Sequence, residues 1–236
     1  MNSTLKVITA FLLTLVVAVG CKPDEPLPID DPDEPVVLDG CVDLGLPSGT
    51  LWAVRNLGAE TPEDRGDYYA WGETVTKDLY DWKSYKYCIY DKEQYLLTKY
   101  CTDSSLGFND FVDDKTVLEL ADDAVTANWG EDWRMPTRED WEELLQNTTW
   151  SWITQNGVEG GLLKGENGNS LFLPATGFCL DNGPICTGLG IYWSSTLQTS
   201  SQVSAWSFHF DYEECHVCGT YERSRGQCVR AVRVCQ

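Results

Sequence analysis

The chain has 236 residues, 42% hydrophobic and 23% charged, a balance that excludes wholesale disorder and fits one sizeable packed domain. Its 37 Asp and Glu against 17 Lys and Arg give a net charge of −20, which repels phosphate backbones and argues against a nucleic-acid partner. The one long apolar run lies at the N-terminus, which excludes a polytopic membrane protein, and 10 Trp with 11 Tyr point to an aromatic core or an aromatic-lined surface.

Residues 1–20 read as a signal peptide: Lys6 precedes an apolar segment, Val7–Val19, that is shorter than the roughly 20 residues of a membrane-spanning helix. It ends in Ala18-Val19-Gly20-Cys21, which resembles a bacterial lipobox, with Ala18 where a larger aliphatic residue is usual. Cys21 is therefore the expected lipidation site, and acyl chains there would add about 0.8 kcal/mol of membrane affinity per buried methylene. Residues 21–38 form an acidic, proline-rich segment that cannot bury a core and reads as an extended tether. Acids directly after the lipid cysteine resemble the signal that sends lipoproteins of the Bacteroidetes group to the cell surface. The expected address is the outer membrane, lipid-anchored and facing outward.

Residues 39–236 carry no further linker and read as one domain. Strands are expected at Thr50–Val54, Tyr68–Trp71, Ser170–Leu173, Ile191–Ser195, Ala205–Phe210 and Cys228–Val234, from apolar or alternating runs bounded by turn residues. Asn167-Gly168 is a hairpin signal, and the Tyr- and Leu-rich stretch between Cys88 and Cys101 reads as another hairpin. Helical spacing predicts a helix over Thr116–Asn128 and a second one capped by Thr137, with Asp140 completing a capping box and Trp141, Leu144 and Leu145 on one face. Strands, then helices, then strands imply an α+β fold with an antiparallel sheet.

Nine cysteines follow Cys21, and an exported chain makes disulfides the default. Cys88 and Cys101 flank the predicted hairpin, Cys179 and Cys186 bracket the turn Asp181-Asn182-Gly183-Pro184, and Cys41 and Cys235 stand at the two ends of the domain, where they pair only if the terminal strands are neighbours. Cys215-His216-Val217-Cys218 has the look of half a zinc site, but the second close pair is missing and no metal is expected.

Several runs then line up with a known family: Val42–Ala53, Gly66–Glu73, Asp122-Asp123-Ala124, Asn128-Trp129-Gly130, Trp133–Thr137, Phe172–Gly177, Tyr192–Ser195 and Val229-Arg230. In this order and spacing, across nearly all of Val42–Val234, they closely resemble the Fibrobacter succinogenes major paralogous domain, a family related to the C-type-lectin-like fold and its formylglycine-generating branch. The resemblance implies two helices, a twisted antiparallel sheet and termini close together, and with the last of these a Cys41–Cys235 bridge. It implies no assigned reaction.

The residues favour binding over catalysis. Cys215 and Cys218 are three apart, closer than the cysteine pair of the formylglycine-generating oxidases, so a divergent oxidase is an alternative only. Asp122 and Asp123 read as a solvated or capping pair, and His209, on a face with Asp211, as structural. The Glu-Pro-Asn loop and Trp-Asn-Asp strand of Ca²⁺-dependent lectins are absent, so neither that mode of sugar binding nor a cofactor is expected. Aromatic rings can instead stack on sugars or anchor a protein. Tyr212, His216 and Tyr221 are the candidate ligand contacts in the C-terminal loops. Trp193 is carried with them, although its Tyr-Trp-Ser-Ser run suits a core strand. Trp71, Trp129 and Trp133 read as core, and the displayed face of the Tyr80–Tyr100 segment is a second candidate surface. The expectation is a surface lipoprotein that captures a glycan or protein ligand, with a structural envelope or pilus-like role as the other alternative.

Overall fold

The computed structural model of the chain describes residues 37–38, 40–91, 94–181, 183–185 and 188–234. The signal peptide, Cys21, the tether as far as residue 36, Cys186 and Cys235 lie outside the described residues.

The body opens with β1 (Val37–Leu38), β2 (Cys41–Asp43) and β3 (Thr50–Asn56), all antiparallel. Pairing therefore begins at Val37, two residues inside the expected tether. The register of Leu38 opposite Cys41 leaves a two-residue loop, and Gly40 meets its left-handed requirement with φ +78°. Tyr68–Trp71, expected as a strand, is extended but joins no sheet. Its amides are spent on the C-terminal segment: Tyr69 bridges Gln227, and the Trp71 N–H donates to the Arg223 carbonyl at 2.9 Å. The expected hairpin follows as β4 (Cys88–Asp91) and β5 (Gln94–Leu97).

The first helix is shorter than helical spacing predicts. Residues 116–118 run instead beside the segment 195–197, where the Leu118 N–H donates to Ser195 and the Leu197 N–H to Thr116. A 3₁₀ turn at Leu120–Asp122 then leads into α1 (Ala124–Trp129), capped by Asp123. The second helix, α2 (Arg138–Gln146), begins as expected, with the Thr137–Asp140 capping box in place and Trp141 and Leu144 buried.

A three-stranded sheet follows: β6 (Thr148–Gln155), β7 (Val158–Gly165) and β8 (Ser170–Pro174). Next comes the short hairpin of β9 (Phe178–Leu180) and β10 (Gly183–Ile185), so that Gly183 and Pro184, expected in a turn, are paired strand residues. A second three-stranded sheet is built from β11 (Gly190–Leu197), β12 (Ser204–Phe210) and β13 (Cys215–Glu222). The last strand, β14 (Arg230–Val234), returns to the free side of β3. The fold is α+β, rich in antiparallel sheet, with two α-helices among the described residues.

Trp141 of α2 joins two of these sheets. Its ring lies 4.5 Å from Trp52 of β3 and stacks on Phe208 of β12 at 4.6 Å and 10°. Among the described residues, Arg223 and Arg230 are fully buried without a carboxylate partner. Arg223 donates to the backbone carbonyls of Tyr100, Gln202 and Lys99 and sits over Trp71. Arg230 donates to Asn56 Oδ1 and to the Ala53 carbonyl, and burial brings its pKa down to about 10.

The cysteine expectations fare unevenly. Cys88 and Cys101 are separate thiols: Cys88 stands opposite Leu97, and Cys101 Sγ donates to the Asp103 carbonyl at 3.1 Å. The two ends of the body share one sheet without being neighbours, because β2 and β14 flank β3 on opposite sides. Cys41 faces Ala53 and Val234 faces Thr50, and Cys235 lies outside the described residues. Cys179 pairs in register with Pro184.

Candidate functional site

The residues that frame one open surface cleft come from α1 and the loop behind it. Asp123 caps α1 through Oδ1, which accepts the Val125 and Thr126 N–H groups at 2.8 and 3.1 Å. Its Oδ2 accepts the Met135 N–H at 2.8 Å, so one buried carboxylate ties the start of the helix to the segment beyond it. Burial pushes this carboxyl above its usual range despite the three donors. Gly130, at φ +95°, stops the helix where a side chain would be strained. The chain then turns back: the Trp133 N–H donates to Gly130, and Thr126 Oγ1 donates to the Trp133 carbonyl at 2.9 Å. Arg134 clamps the next corner through both guanidinium nitrogens on Asp140, at 2.6 and 3.1 Å.

This frame sets Trp129 and Trp133 at right angles, with ring centroids 5.4 Å apart at 79°. Both residues are partly buried and pack against the core, as expected, and with Arg55 and Gly40 they also line an open cleft of about 270 Å³. The Arg55 guanidinium lies 5.6 Å from the Trp129 centroid, and that of Arg233 lies 4.9 Å from Trp133. The corner arises because a left-handed glycine lies between the two tryptophans, a feature the Asn128-Trp129-Gly130 run displays but apolar periodicity does not weigh.

The four sequence-chosen contacts do not form one site. Trp193 is 0% exposed, and its Nε1 donates to the Tyr69 carbonyl at 2.8 Å, so it belongs to the core. Tyr212 is 69% exposed in the turn after β12 and donates to Glu213. His216 and Tyr221 lie on β13, where both approach His209 of β12. The two imidazoles face each other across the strands, Nδ1 to Nε2 at 3.4 Å, and the Tyr221 ring lies 6.4 Å from His209 and 5.7 Å from Phe178. Burial, then the neighbouring His216, lowers the His209 pKa. His209 is thus a member of the strip that sequence reasoning set aside, because cross-strand register is not written in local spacing.

Cys215 and Cys218 stand opposite Phe210 and Ser207 in an unbroken stretch of register. Residues three apart on a strand point to opposite faces, so these two do not meet as a dithiol or as a pair of metal ligands. Burial pushes the Cys215 thiol up to about 11. Among the described residues no three His, Cys, Asp or Glu side chains gather as a metal-binding group.

Asp122, expected to be solvated or capping, is buried instead in a polar cluster. It accepts hydrogen bonds from Tyr87, from Tyr100 at 2.7 Å and from Lys99, with Lys86 at 3.3 Å. Burial alone would raise its pKa, but donation by Lys99, Tyr87 and Tyr100 outweighs it and holds the carboxyl down to about 2. The cluster ties the two ends of the β4–β5 hairpin, at Lys86 and Tyr87 and at Lys99 and Tyr100, to Asp122. Above it, Ile89, Tyr90 and Tyr95 are exposed, and Tyr90 and Tyr95 pair across the strands at 4.8 Å.

No family model, curated protein or solved structure matches this chain.

Proposed function

We propose that the protein is a lipoprotein held to the outer membrane through Cys21 and displayed at the cell surface. Its body has the C-type-lectin-like architecture of the Fibrobacter succinogenes major paralogous domain and captures a glycan or protein ligand without transforming it. The observation that carries the capture reading is the Trp129–Trp133 corner. Two half-exposed indoles at right angles, beside an arginine, supply rigid apolar faces in a concave setting, and Trp and Arg are the residue types that dominate binding hot spots. The runs that resemble the family support the same place, since Asp123, Trp129, Gly130, Trp133 and Arg134 all belong to them and together build the cleft.

The test is a glycan and surface-protein screen of the mature chain, followed by Trp129→Ala and Trp133→Ala in the same format. Capture at the cleft predicts at least one ligand that quenches tryptophan fluorescence and is lost in both variants while the thermal transition stays. Turnover of a substrate, or ligands indifferent to both substitutions, would overturn the reading. The exposed Ile89, Tyr90 and Tyr95 favour a second role, as an envelope or pilus-like component that contacts other proteins through the hairpin. Loss of surface assemblies on Tyr90→Ser, with ligand capture intact, would support it.

A further inference from the structure

Resting on the reading that the Trp129–Trp133 cleft captures a glycan, we propose that its ligand is a single terminal sugar ring bearing a carboxylate, of the uronic or sialic acid type.

Arg55 makes the distinction between acidic and neutral sugars. It is exposed on β3 beside the Trp129 ring, and its one hydrogen bond runs from Nη1 to the Ala59 carbonyl. Among the described residues it forms no ion pair, in a chain that has 37 acids for 17 basic residues. Its remaining guanidinium donors form a planar fork, the arrangement that matches a carboxylate bidentately. The adjoining indole corner is suited to the apolar face and edge of a pyranose.

Size and charge restrict the ligand further. A cleft of about 270 Å³ lies just below the roughly 300–1,000 Å³ of ordinary small-molecule sites. It has room for one sugar ring against the two indoles. The net charge of −20 works against a polyanion lying along the surface. One carboxylate in contact with Arg55 feels that field only weakly, because screening acts over about 8 Å at physiological salt. A terminal acidic sugar meets all three constraints.

The experiment titrates the full mature chain, in detergent, with the methyl glycosides of N-acetylneuraminic acid and glucuronic acid. Their methyl esters serve as neutral counterparts, and tryptophan quenching and calorimetry are the readouts. At least one acid is expected to bind about tenfold more tightly than its ester, since a charge-assisted pair contributes more than a neutral hydrogen bond. Arg55→Gln should bring that acid down to the level of its ester. Arg55→Lys, which keeps the charge and loses the fork, should recover only part of the difference. Trp129→Ala should abolish both. Thermal unfolding of each variant separates a lost contact from a lost fold. Equal binding of acid and ester, or an acid preference that survives Arg55→Gln, overturns the acidic-sugar inference and leaves capture standing. So does a broad screen in which only neutral glycans bind in a Trp129-dependent way. No Trp129-dependent binding of any sugar overturns glycan capture at the cleft together with the acidic-sugar inference.

Discussion

Removing the carboxylate of Asp123 should loosen the cleft and the fold together. Asp123→Ala deletes the cap of α1, which costs about 1 kcal/mol. It also strands the Met135 N–H in a buried position, which costs about 1–3 kcal/mol more. The expected total is about 3 kcal/mol, or a fall of roughly 6–12 °C in Tm for a body of this size. Asp123→Asn is the informative partner. Its carbonyl oxygen can keep the two helix donors, but its amide then faces the Met135 N–H, donor against donor, so the loss should be about half as large. Urea unfolding followed by tryptophan fluorescence, with calorimetry for Tm, reads both variants. An Asp123→Ala protein within about 0.5 kcal/mol of wild type would refute the reasoning, given that the cap alone accounts for more. So would an Asn variant as damaged as the Ala one.

Asp122 should confer acid sensitivity. Its carboxyl lies near 2 in the folded chain against an ordinary 3.8, so its stabilising contribution is complete above about pH 4 and disappears as pH falls through 2. Asp122→Asn should flatten the stability profile across that window and cost about 2 kcal/mol at neutral pH in urea unfolding; an unchanged profile would count against the cluster. Trp141→Ala should destabilise by about 3–5 kcal/mol, because the ring is the shared contact of two sheets and leaves a cavity. Equilibrium unfolding reads that loss, and less than about 1 kcal/mol would contradict the packing. Cys228, fully buried with its thiol pushed up to about 12, should resist iodoacetamide in the native protein and react once it is denatured. Alkylation mapped by mass spectrometry would show it, and should also find Cys88 and Cys101 unlinked.

Local signals were readable where one short stretch decides the outcome. Thr137 and Asp140 form the expected capping box because both partners lie within a single turn. The β4–β5 and Asn167-Gly168 hairpins likewise follow from adjacent residues. The failures share a different cause. Tyr68–Trp71 has the composition of a strand, but its amides are claimed by residues more than a hundred positions away. The helix expected from Thr116 starts late because Ser195 and Leu197 engage its first residues. The His209–His216 pair and the cluster around Asp122 depend on cross-strand register and on segments brought together by the tertiary fold. Trp129 and Trp133 were visible as residues, yet their half-exposure depends on the left-handed Gly130 between them and on the Asp123 tie to Met135.

The place of β14 has a consequence for biogenesis. The strand that completes the opening sheet follows the other described strands in the chain, and Arg230 reaches back to Asn56 and Ala53 across 174 and 177 positions. Until those residues emerge, β3 keeps one side open and Trp52 lacks the neighbour Val232 that stands opposite it. Contacts of such long separation form slowly and late. A growing chain therefore cannot close on itself, which keeps it threadable by any machinery that needs an unfolded substrate. A chain cut before Arg230 would lack its closing strand and be open to degradation.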